Sequence, residues 1–181
     1  RNKVLKRFSL YINSFSGNLL SPTMRLKFPP EYQSLYDFFN KEDPNTRITV
    51  LPQHTFWGWN FYNFGYRGSG FLWFGLPQAL TDRAFDVWNL NNEKYYEELS
   101  TAIYCQDQQK FEDVLDKYAI NYLIVDRNII SPGKESVLYT NETFDLLDNS
   151  PKLKQLKNFN DTIYVYQTNI NKNVKNFLSL S

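Results

Sequence analysis

The step that most constrains the fold is "FEDVLDKYAINYLIVD", residues 111–126. Phe111, Val114, Leu115 and Tyr118 recur at the i, i+3, i+4, i+7 spacing of one apolar helix face. "NYLIVD" follows at once, an apolar and β-branched run with no polar alternation. A strand of that kind is covered on both faces, as in a parallel or mixed sheet. Amphipathic helix, buried strand, then a loop with Pro132 and Gly133 is an α/β rhythm.

The rest of the chain arranges itself around this step. Residues 8–30 are read as irregular, with Pro22, Pro29 and Pro30 breaking "SPTMRLKFPP" into loop or extended chain. "EYQSLYDFFNKED" is predicted helical, with Tyr32, Leu35, Phe38 and Phe39 on one face, Glu31 in its first turn and Pro44 beyond its end. Arg47–Leu51 is a predicted strand bounded by Pro52. A further helical face holds Tyr95, Leu99, Ala102 and Ile103. "NETFDLLDNSP" predicts a short helix capped by Asn141, with Phe144 and Leu147 inward and Pro151 as the stop. "LKQLKNF" and "TIYVYQT" flank Asn160 and Asp161, a turn pair suited to a hairpin. The expected fold class is α/β, a small mixed sheet flanked by helices. The expected organisation is an N-terminal flank at 1–30, one domain at 31–168, and a tail or linker at 169–181.

Between the first predicted strand and the second helix pair lies "WGWNFYNFGYRGSGFLWFG", residues 57–75. It holds three tryptophans, six other large aromatics and five glycines, with Arg67 as its single charge. The glycines at 58, 65, 68, 70 and 75 defeat a long helix, so a long, structured aromatic and glycine-rich loop is expected, with room for one short extended piece. Trp73 and Phe74 are expected to pack inward, and Trp57 or Trp59 to lie nearer the surface.

Several chemistries find no support. A net charge of +1 gives no field for nucleic acid. His54 is the only histidine and Cys105 the only cysteine, so neither a zinc cluster nor an internal disulfide is available. No twelve-residue calcium loop, no G-x-S-x-G and no G-K-S or G-K-T occurs. His54 beside Thr55 has the elements of a general base, but a polar loop residue just past a strand end is the simpler account and the one expected. Neither a catalytic residue nor a cofactor is expected. Two Asn-x-Thr triplets, at 141–143 and 160–162, match the glycosylation sequon, as chance in an Asn-rich chain also allows.

The candidate contact residues are aromatic and charged. Trp57 and Trp59 are two apart, so an extended backbone turns both to one side, as stacking on a sugar ring requires. Tyr66 and Arg67 join them from the same stretch. Asp82 and Asp86 are four apart, with Arg83 between, and a helix there would set the two carboxylates on one face. The set Trp57, Trp59, Tyr66, Arg67, Asp82 and Arg83 is the candidate for sugar or interface contact. For the aromatics a core or interface role is the reading preferred over sugar stacking, and contact with a membrane headgroup layer is a third.

"RITVLPQ", "GSGFLWFGLPQALTDRAFDVWN", "FEDVLDKYAINYLIVD" and the terminal "Leu…Ile-Tyr-Val-Tyr" hairpin, Leu153 to Tyr166, together carry a resemblance. Over residues 31–168 the chain resembles the extracytoplasmic part of polytopic bacterial GT-C-like glycosyltransferases, which use polyprenyl-phosphate sugars. The resemblance implies a transmembrane, cell-envelope protein with this chain on its extracytoplasmic side. It implies two partners: the membrane-embedded part of the same polypeptide, and a glycan or lipid-linked sugar, with no nucleic acid. In that family the catalytic acid lies in loops between membrane helices, so no catalytic residue carries over. No run here reaches 18 apolar residues. "RNKVLKR" at the start is then either a solvated tail or the flank that leaves a membrane helix. The alternative is a free-standing carbohydrate-binding module.

Overall fold

At the centre of the sheet, Tyr122–Asp126 (β5) is buried at all five positions. Its neighbours explain this. The computed structural model describes residues 26–53, 59–68, 70–81 and 90–169. Within them β5 lies between Arg47–Leu51 (β1), parallel to it, and Ile163–Thr168 (β8), antiparallel. Ala79–Leu80 (β4) extends the sheet beyond β1 in parallel, and Leu153–Phe159 (β7) closes the other edge against β8. The order is β4-β1-β5-β8-β7, a mixed sheet as expected.

Alternation divides β5 between two cores. Leu123 and Val125 face one way, with Leu51 and Tyr166. Helices Leu90–Tyr104 (α2), Gln108–Lys117 (α3) and Thr140–Asn149 (α4) cover that face through Leu99, Phe111, Leu115, Leu146 and Leu147. Tyr122 and Ile124 face the other way, with Ile48, Ile163 and Val165. Helix Glu31–Phe39 (α1) and the aromatic segment cover that side through Tyr32, Leu35, Phe39, Tyr62 and Phe71. Each such aliphatic side chain, fully removed from water, stabilises by roughly 1.5–3 kcal/mol.

The joints around α3 follow local rules. Asp107 caps its N-terminus, with Oδ1 accepting from the Lys110 N–H at 3.0 Å. At its C-terminus Ile120 N donates to Leu115 O and Ala119 N to Asp116 O, a Schellman closure with Ala119 at φ 51°. That closure turns the chain straight into β5. The β7–β8 hairpin turns on Asn160 and Asp161 at φ 52° and 55°, as a type I′ turn demands.

Three expectations change. The expected long loop is largely built into small elements. Asn60–Tyr62 (β2) pairs antiparallel with Arg67–Gly68 (β3) and with Ile129–Ile130 (β6), and a 3₁₀ turn follows at Leu72–Phe74. Asn141 does not cap α4. The helix begins at Thr140, so Asn141 stands inside the first turn, and Tyr139 occupies the cap position with no side-chain bond. The transmembrane character implied by the resemblance does not hold for this chain: among the described residues no helix is long and apolar enough to cross a membrane. The longest of them, α2, has 15 residues, short of the roughly 20 that a bilayer core requires.

Candidate functional site

The small sheet gives its two faces different work. Along β2, Asn60 and Tyr62 are buried, while Trp59 and Phe61 alternate outward. Arg67 lies directly across from Phe61 on β3, its guanidinium 5.9 Å from the Phe61 ring centre. Trp59 is 52% exposed. Trp59, Phe61 and Arg67 therefore form one outward strip: an indole, a ring and a cation that no carboxylate pairs among the described residues. Such a strip can stack on a sugar ring and bind an anionic oxygen, with the cation–π contact worth about 0.5–1 kcal/mol at an exposed site.

Of the predicted contact residues, the structure unites Trp59 and Arg67. It separates Tyr66, which turns inward beneath the strip. The Tyr66 hydroxyl donates to Gly70 O at 2.9 Å, and its ring meets Phe71, Tyr62 and Phe28. Burial pushes the Tyr66 phenol up. Trp57, Asp82 and Arg83 lie outside the described residues, as do His54 and Asp86. Phe61 is not among the contact residues expected from the sequence. The period-2 step from Trp59 points to it once a strand is assumed.

Trp73 and Phe74 do not pack inward as expected. Each is 41% exposed, and the two rings stack with centres 3.5 Å apart. The 3₁₀ turn is the reason. It spends Phe71 and Leu72 on the core, and the next two side chains rotate outward. Gly75 allows this, because a Cβ there would lie 2.5 Å from the Tyr36 ring.

Beneath the strip lies a buried polar junction. Asp126, at the end of β5, is fully buried. Its Oδ2 accepts from the Tyr32 hydroxyl of α1 at 2.8 Å, and its Oδ1 from the Asn128 N–H at 2.9 Å. Asn128 in turn accepts from Asn63, at 2.9 Å through its carbonyl and 3.1 Å through its side chain. One carboxylate thus ties the main sheet, α1 and the small sheet together. Burial pushes the Asp126 carboxyl up to about 6, against the opposing bonds from Tyr32 and Asn128. Burial, then the facing Asp126, push the Tyr32 phenol far up. Both Asp126 oxygens are engaged and out of reach of solvent, so its work is structural. Among the described residues no group of three metal-ligating side chains occurs.

A second polar cluster, on the helical side, is also structural. Glu112 Oε1 accepts from Ser150 at 2.8 Å and from Gln108 at 3.1 Å, and Lys152 lies 3.4 Å from Oε2. Burial raises the Glu112 carboxyl, but these bonds outweigh it and hold it below the usual range.

No protein-family profile matches the chain, and no curated protein matches it by sequence. Solved structures do match its fold. The arabinofuranosyltransferase AftD from Mycobacteria aligns with a TM-score of 0.60 at 14% identity, over 82% of this chain and 13% of that one. A mutant form of the same enzyme aligns at 0.55 and 15% identity, over 78% and 13%. The C-terminal globular domain of an oligosaccharyltransferase from Archaeoglobus fulgidus gives 0.48 at 10% identity, over 79% and 99%, a likeness too slight to argue from. The chain therefore shares its mixed α/β fold with a domain-sized part of a much longer glycosyltransferase.

Proposed function

We propose that this chain is an extracytoplasmic domain of a membrane glycosyltransferase, set beside a membrane-embedded part of the same polypeptide. One observation carries the reading: 82% of the chain follows the fold of a segment that makes up 13% of AftD. The domain does no bond chemistry itself. Its described residues offer no convergent nucleophile, base and anion-binding group. Its contribution is to shape the acceptor side, with the Trp59–Phe61–Arg67 strip meeting a glycan or the phosphate-linked end of a lipid-borne sugar. An indole suits the ring, and a guanidinium suits phosphate oxygens.

The test is glycosyl transfer by membranes that carry the complete polypeptide. Trp59→Ala and Arg67→Ala lower transfer while the protein level and its thermal unfolding stay unchanged. Full transfer by both variants refutes a contact role for the strip. A second reading, a free-standing carbohydrate-binding module, draws on the exposure of Trp59. It requires saturable quenching of tryptophan fluorescence by plain oligosaccharides at sub-millimolar concentration, abolished by Trp59→Ala, with no membrane partner present.

A further inference from the structure

The Asn-x-Thr triplet occurs twice, and the structure sets the two copies apart. At 141–143 the backbone is helical, so the first and third side chains point to different sides of α4. Thr143 is 1% exposed, and its hydroxyl donates to Tyr139 O at 2.7 Å. A transferring enzyme that must engage both the asparagine amide and the hydroxyl cannot reach them together there.

At 160–162 the setting is the reverse. Asn160 stands at the tip of the β7–β8 hairpin, exposed, in the left-handed conformation. Its side chain makes no hydrogen bond to the described residues. The turn is held instead by its neighbours. Asn158 Nδ2 donates to Asp161 Oδ1 at 2.5 Å, and the Asp161 N–H donates to Asn158 Oδ1 at 2.9 Å. The Asn160 amide is thus free to react without loosening the hairpin. Thr162 is half-buried, its hydroxyl resting on Phe159 O at 3.0 Å, a contact that rotation about χ1 releases.

We propose that Asn160 is an acceptor for an N-linked glycan and that Asn141 is not. The donor class is an oligosaccharide joined to a polyprenyl diphosphate, delivered by a separate oligosaccharyltransferase. The Asn160 amide nitrogen attacks the anomeric carbon. A C–N bond forms, the bond from that carbon to the diphosphate oxygen breaks with its electron pair, and the amide gives up one proton. Nothing is oxidised or reduced. The glycan then stands at the end of β7, an edge strand whose outward Lys154 and Lys157 already discourage pairing with another sheet. Use of the site in the cell rests on the extracytoplasmic reading above, whereas its competence does not.

The experiment separates the two. The folded full chain is incubated with a purified oligosaccharyltransferase that accepts Asn-x-Thr and with its lipid-diphosphate oligosaccharide. Tryptic peptides are then weighed. The expected result is a glycan mass on peptide 158–172, lost in Asn160→Gln and Thr162→Ala, retained in Thr162→Ser, with Asn141 unmodified. Urea-unfolded chain is expected to accept glycan at Asn141 as well. Folded chain that is unmodified at Asn160, or modified equally at Asn141, overturns the proposal whatever the location of the protein in the cell.

Discussion

Replacing Asp126 with asparagine should stabilise this protein at neutral pH, although it removes a carboxylate with two good hydrogen bonds. The carboxyl stands at about 6 in the fold against an ordinary 3.8. That difference, at about 1.4 kcal/mol per pH unit, means the buried negative charge costs the folded state about 3 kcal/mol above pH 6. The sign follows from proton counts. Between about pH 4 and 6 the folded state holds the Asp126 proton and the unfolded state has lost it. Stability from this group is therefore complete below about pH 4 and is lost as pH rises through about 6. An asparagine side chain in this place can keep both bonds without charge. Its oxygen accepts from the Asn128 N–H, and its amide donates to the Tyr32 hydroxyl, which exchanges its donor role for an acceptor role. Urea unfolding of wild type and Asp126→Asn at about pH 5 and about pH 7.5 measures the effect. The expected gain is about 1–3 kcal/mol at the higher pH, shrinking at the lower. A variant less stable than wild type at the higher pH, with a difference that does not change with pH, would show the opposite. Asp126 would then contribute through its bonds more than its buried charge costs.

Other substitutions probe other levels. Ala119→Gly relieves a left-handed alanine in the closure of α3 and should stabilise by about 0.5–1 kcal/mol in urea unfolding, the reverse of the usual effect of a new glycine. Leu123→Ala opens the core between the sheet and the three helices and should cost about 2–5 kcal/mol by the same measurement. Ser150→Ala removes a bond that holds Glu112 ionised, and should cost about 1 kcal/mol at neutral pH. Glu112 contributes above its ordinary range and loses that contribution as pH falls through its lowered value, so the cost should fade in acid. Trp59→Ala removes an exposed ring and should leave stability within about 0.5 kcal/mol, whatever it does to glycan contact.

The main sheet was legible because its pieces carry strong local signals. β5 is a continuous apolar run, α3 has a full helical stripe, and the β7–β8 turn uses Asn and Asp where positive φ is needed. The small sheet was not legible, because β2, β3 and β6 have three, two and two residues, too few to show a period. The direction of Trp73 and Phe74 was lost for a related reason. A single 3₁₀ turn decides it, and apolar content alone cannot say which rings of "FLWF" the core takes. The start of α4 was misplaced because Asn141 offers a good cap, whereas the Tyr139 backbone breaks the chain first. Asp126 ends its strand in "YLIVDRN", where a carboxylate ordinarily meets water. Its burial depends on Tyr32, 94 residues away in sequence. Half of the expected contact set, Trp57, Asp82 and Arg83, lies outside the described residues. Of the rest, alternation along β2 and the β3 register decide that Trp59 and Arg67 face out together, with Phe61 between them.

A domain that stands outside the cytoplasm as part of a membrane protein should expose its surface thiols to reagents that cannot enter the cell. Cys105 is suited to this, because it is the only cysteine in the chain and its side chain is exposed beyond α2. Intact cells making the complete polypeptide are treated with a membrane-impermeant maleimide and then fractionated. Cys105 is expected to be labelled without lysis, in protein that sediments with membranes, with the reagent mass found on the peptide that carries Cys105 and absent from that peptide in Cys105→Ser. Labelling of Cys105 only after the cells are broken, or its recovery in the soluble fraction, contradicts an extracytoplasmic, membrane-tethered domain.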